Sequence, residues 1–189
     1  MRGAPGVRPR RLYGGPVNHV IPWPHRPRRD GRAASRTDYA GAVYGSLLAA
    51  SVIAASSSTG KFPRFETVVL LLVTGLVFWV AHVYARVAGE RSVGELIDWS
   101  KVRRVGRSEW SITEAAVLPA AVVAISPLLG LSLTATGWLA LTVAVAQQVS
   151  WAYIGALHAS GSRREAAVEA AVNLVLGLVI VAAKAALGH

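Results

Sequence analysis

Three residues of this chain set an ionisable side chain into an apolar run: His82, Glu114 and Glu169. His82 stands in VFWVAHVYAR, residues 77–86, four positions before Arg86. An imidazole beside a carboxylate titrates near neutral pH, so such a set could relay protons. It could also hold a cation, because His and Glu suit zinc, iron or nickel. Neutral amides add to the inventory with Gln147, Gln148 and Asn173, and a second imidazole, His158, follows. Glu165, Glu169, Asn173 and Gly177 recur every four residues and read as one polar and small stripe along a helix.

A structural reading stands beside the chemical one. The same groups could pair with one another or snorkel to an interface, and so only set helix packing. A metal site needs several helices to converge, since no HxxxH or ExxH spacing falls on one helix, and none is expected. The five histidines are no enrichment, because two stand in the first 37 residues and one is terminal. With no cysteine, thiolate sites, disulfides and cysteine nucleophiles are excluded. No GxSxG, HExxH or Walker glycine loop occurs, nor a Gly-Ser…His or paired-aspartate pattern of intramembrane proteases. The chain is therefore expected not to be an enzyme and to need no cofactor.

The elements that position these residues are apolar and long. Of 189 residues, 53% are hydrophobic and 16% charged, against about 25% charged in an ordinary soluble domain. Mean hydropathy is +0.42. Five apolar segments cover about 38–57, 66–87, 110–129, 133–157 and 164–187. Each reaches the roughly 18 to 20 residues that a helix needs to cross a bilayer. Ser126-Pro127 and Gly130 mark the turn between the third and the fourth. The fold class is all-α, a polytopic bundle of about five transmembrane helices over 38–189, with the lipid bilayer as its first partner. In the first span Gly41, Gly45 and Ala49 form a small-xxx-small face that lets another helix approach closely. Pro119 leaves the carbonyl of Ala115 without its usual helical donor.

Residues 1–37 carry nine arginines and a single aspartate, with proline and glycine throughout. No apolar period survives there, so a disordered basic tail is expected. No apolar signal region follows its charges, and a misassigned start codon would add such a segment. Placing the N-terminus in the cytoplasm puts seventeen of the twenty basic residues inside and leaves only Lys61, Arg64 and Lys184 outside. Topology in a cell membrane thus accounts for the net charge of +10, and no nucleic-acid partner is expected. The connection 89–109 places Val93, Leu96, Ile97, Ser100 and Arg104 at helical spacing, with Trp99, Val102 and Val105 nearby. It reads as an amphipathic helix on the leaflet surface, with Arg103, Arg104 and Arg107 near headgroups, or as a charged loop.

In that orientation His82, Glu114 and Glu169 share one shallow cytoplasmic layer, His82 and Glu169 roughly 7 Å and Glu114 about one turn inside the helix end. His158 lies just below it, and Gln147, Gln148 and Asn173 form a neutral layer near mid-depth. His82 is expected to face Glu114 or Glu169. The first span, AVYGSLLAASVIAA, and the second, VFWVAHVYAR, resemble those of small polytopic membrane proteins of GC-rich bacteria. The resemblance covers roughly 38–187 and implies no particular activity. Two functions stay open: a small-solute, ion or proton pathway with a His/Glu vestibule, or a non-transporting scaffold or anchor. Either could form a homo-oligomer or hold a membrane-protein partner.

Overall fold

A computed structural model describes residues 39–56, 63–90 and 98–187. Helix α1 spans Tyr39–Ala55, α2 Pro63–Gly89, α3 Trp99–Ser108 and α4 Ser111–Ile125. A 3₁₀ turn, Ser126–Leu129, leads to α5, Leu133–Ser160, and α6, Arg163–Leu187. No strand occurs among the described residues. The basic tail and Val93, Leu96 and Ile97 of the connection lie outside the described residues.

Local chemistry sets the helix ends. Pro63 opens α2, where its missing N–H costs nothing. Asp98 caps α3 by accepting from the Ser100 amide at 2.8 Å, and Ser132 caps α5 by accepting from the Ala135 amide at 3.1 Å. Gly161 closes α5 at φ 69°, a left-handed conformation that disfavours a side chain. Gly130 does the same after the 3₁₀ turn, at φ 65°. In the third segment the helix therefore stops at Ile125, and Ser126-Pro127 tightens the chain into the turn expected there.

Four helical segments are long and apolar enough to cross a membrane: 63–89, 111–129, 133–160 and 163–186. Helix α1 is apolar but shorter, at 17 residues. The chain is a multi-pass integral membrane protein. Lipid offers no hydrogen-bond partners, so hydroxyls inside the helices turn back on their own backbone. Ser46 donates to the Ala42 carbonyl at 2.8 Å, Thr142 to Trp138 at 2.9 Å and Ser150 to Ala146 at 2.7 Å.

The helices alternate in direction, and side-chain contacts mark the two ends. At one end Tyr39 meets His158 and Trp151, and α3 lies against α2. At the other, Arg64 donates to Ser126 Oγ at 3.1 Å and to the Leu131 carbonyl at 2.6 Å, while Lys184 donates to the Ile53 carbonyl at 3.1 Å. Seven basic residues of the described chain gather at the first end and only Arg64 and Lys184 at the second.

Helix α1 is the centre, packed on α4 and α5 and touching α2 and α6. Its buried side is made of Gly41, Ala42, Gly45, Ser46, Ala49 and Ala50. A methyl group on Gly45 would stand 2.5 Å from the Ile112 carbonyl oxygen and 2.9 Å from the Ala115 methyl. The small face thus brings the α1 backbone directly onto α4. The core continues through Ile53, Leu71, Val123, Leu141 and Ala144. Helices α2 and α6 are peripheral and turn broad valine and leucine faces outward.

Candidate functional site

The ionisable groups begin with α2, where His82, Arg86 and Glu90 follow at four-residue steps along one side. Opposite them stands Glu109, at the corner where α3 ends and α4 begins. Its backbone amide donates to the Val105 carbonyl at 3.0 Å, and its own carbonyl accepts from the Ile112 amide at 3.1 Å. Held from both sides, Glu109 places its carboxylate against α2 with 1% of the side chain exposed. Arg86 donates to Oε1 of that carboxylate through Nη1. His82 Nε2 lies 3.9 Å from Oε2 and is half exposed. Tyr44 of α1 flanks the imidazole, with ring centres 6.1 Å apart.

Around this pair the contacts tie α2 to α3. Glu90 lies 3.8 Å from Arg86 and 3.4 Å from Lys101. Trp79 Nε1 donates to the Gly106 carbonyl at 2.8 Å, and its ring meets Trp110 edge-on, with centres 5.2 Å apart. Val83, Val87 and Val105 form the apolar layer between the helices. Asp98, fully exposed at the start of α3, has its carboxyl held below the usual carboxylate range, chiefly by the Ser100 hydroxyl and then by the Ser100 amide.

The expected partnership of His82 with Glu114 or Glu169 is replaced by one with Glu109. Glu114 lies on the outward side of α4 beside Val117 and Leu118. Glu169 lies on the outward side of α6 beside Val168 and Val172. Helix α6 packs chiefly on α5 and shares no extensive face with α2 or α4, so the three residues do not converge. The expected stripe on α6 also divides, for a geometric reason. A helix turns about 100° per residue, so each four-residue step overshoots a full turn by about 40°. Three steps from Glu165 to Gly177 carry the row through about 120°, and only its deeper half faces inward. Ala166, Asn173 and Gly177 are buried, whereas Glu165 and Glu169 are exposed.

The neutral layer does assemble. Gln148, with 0% exposure, donates from Nε2 to Asn173 Oδ1 and to the Asn173 carbonyl, both at 3.2 Å. Asn173 Nδ2 in turn donates to the Glu169 carbonyl at 3.0 Å. Gln147 points to α4, where its Nε2 donates to the Ala115 carbonyl at 3.3 Å. This is the carbonyl that Pro119 deprives of a donor, so a side chain from α5 supplies what the proline removes. Three side-chain oxygens, Thr113 Oγ1, Gln147 Oε1 and Gln148 Oε1, are buried without a hydrogen-bond partner. His158 is exposed; its Nδ1–H donates to the Ile154 carbonyl at 2.8 Å, and its ring stacks on Tyr39.

Glu109 was legible only through a pattern that its place in a charged connection concealed. Val102, Val105 and Gly106 recur at helical spacing, and Glu109 is the next position of that row. A carboxylate on the apolar stripe of a helix needs a cation, and Arg86 is the nearest basic residue on α2. Among the described residues, no three His, Asp or Glu side chains are grouped so that they could hold a metal ion. What the arrangement offers chemically is a buried carboxylate with a fixed cation and a half-exposed imidazole at one edge. No protein-family model, curated protein or solved structure matches the chain.

Proposed function

We propose that the chain is a non-transporting, non-enzymatic scaffold or anchor of the cell membrane, with its N-terminus in the cytoplasm. The observation that carries this reading is the use made of its buried polar groups. Glu109, Gln148 and Asn173 tie one helix to another, Ser126 receives Arg64, and Ser46 and Thr136 bond to their own helices. Charged groups arranged for passage would face a common path, and His82, Glu114 and Glu169 do not. The apolar outer faces of α2 and α6 are the surfaces on which a membrane partner, or a second copy, would pack. The gathering of basic residues at the α3 end supports the orientation, since such residues are retained on the cytoplasmic side.

A second reading, a proton or small-solute pathway, draws on the three buried oxygens without partners, those of Thr113, Gln147 and Gln148. Proteoliposomes loaded with a pH-sensitive dye separate the two. The scaffold reading expects a proton leak equal to that of protein-free vesicles under an imposed potential. A conductance that disappears in Gln148→Leu or in Glu109→Gln would overturn it.

A further inference from the structure

Between α2, α3 and the start of α4 lies a groove of about 370 Å³. Its floor is apolar: Trp79, Val83, Val102, Gly106 and Trp110. Two arginines, Arg103 and Arg107, complete the lining. They stand four residues apart on α3, so they rise on the same side of that helix. Both are exposed, and neither is engaged by an acidic side chain among the described residues.

The position of the groove indicates its occupant. Helix α2 has 27 residues, about 40 Å of helix, which exceeds the roughly 30 Å hydrocarbon layer. Val83 and Trp79 stand six and ten residues before its end at Gly89, or about 9 and 15 Å inward. The floor therefore runs from headgroup level into the outer part of the hydrocarbon, with positive charge confined to one rim. An amphiphile with an anionic head and an apolar chain has this same division. An acidic peptide would leave the indole floor uncovered.

We propose that this groove binds one anionic phospholipid, its phosphate on Arg103 and Arg107 and the upper part of an acyl chain against Trp79, Val83 and Trp110. Guanidinium groups recognise phosphate with paired donors, and the perpendicular indoles give a rigid apolar wall. The lipid bridges α3 to α2, reinforcing the Trp79–Gly106 hydrogen bond along the same seam.

The test is native mass spectrometry of the full chain in mild detergent, titrated with phosphatidylglycerol or phosphatidylcholine. One phosphatidylglycerol should remain per chain, bound about thirtyfold more tightly than phosphatidylcholine, as two basic contacts predict. Arg103→Gln with Arg107→Gln should abolish that preference, and Val102→Phe, which fills the floor, should weaken retention of both lipids. Should the variants not fold, quenching of native tryptophan fluorescence by brominated phosphatidylglycerol gives a second readout. It should saturate at one lipid and resist competition by inorganic phosphate. Equal retention of the two lipids, or an unchanged preference in the double variant, would refute the proposal. Displacement by inorganic phosphate would show a free-anion site, and displacement by poly-glutamate a protein-docking site; either overturns it. Proton flux and lipid retention are separate readouts, so this inference and the scaffold reading can fail independently.

Discussion

A proline inside a transmembrane helix frees a carbonyl that lipid cannot satisfy, and here Gln147 reaches across from α5 to Ala115 to donate the missing hydrogen bond. That assignment gives a double-mutant cycle. Gln147→Leu should destabilise the protein by about 1 kcal/mol. In a Pro119→Ala background the restored amide of residue 119 can serve the same carbonyl, so the loss should shrink toward zero. Chemical unfolding in detergent checks both, and equal losses in the two backgrounds would dissociate the glutamine from the proline. Asp98 sets a pH dependence at the same scale. Its folded carboxyl is held below the ordinary range, so the cap stabilises α3 fully above that range and is lost as pH falls through the lowered value. Amide protection at Ser100–Arg103, taken relative to the intrinsic exchange rate at each pH, should therefore fall on acidification, and Asp98→Ala should show the reduced protection at neutral pH already.

Among the elements, α1 depends most on absent side chains. Gly45 brings the helix within 2.5 Å, measured from a would-be methyl, of an α4 carbonyl that cannot move without unwinding its turn. Gly45→Val should cost about 1–3 kcal/mol through overpacking and lower the thermal midpoint in detergent. Gly89→Val, where open space surrounds the position, is the matched control. The row Gly41, Gly45, Ala49 was visible in the sequence because small residues at four-residue steps have one geometric consequence, a close helix contact. Which helix makes that contact was not visible, since periodicity describes one helix at a time. The row on α6 misled for the same reason: residue types were right, but four-residue steps drift around the axis, and only packing on α5 shows where the row leaves the buried face. Helix α3 shows the reverse case. Its amphipathic stripe was readable, yet Glu109 at its end looked like part of a charged loop until α2 was seen lying across it.

For the molecule as a whole, alternating helices divide the described basic residues seven to two between the ends, which makes orientation a testable property. The chain lacks cysteine, so single cysteines report topology without interference. Ser160→Cys, at the end rich in arginine, should react with an impermeant maleimide only after the membrane is opened. Ser132→Cys, at the opposite end, should react in intact cells. Labelling of both in intact cells would refute the alternation. By itself the sequence determined the helical membrane class, the turn at Ser126-Pro127 and the uneven placing of its arginines, because these follow from hydrophobic length, proline geometry and the order of residues along the chain. Only the tertiary structure decided who meets whom: Glu109 with Arg86 and His82, Gln147 with the carbonyl Pro119 frees, and the tryptophan groove beneath Arg103 and Arg107. Those pairings depend on the relative rotation of packed helices, a quantity summed over many contacts and written in no single stretch of the chain.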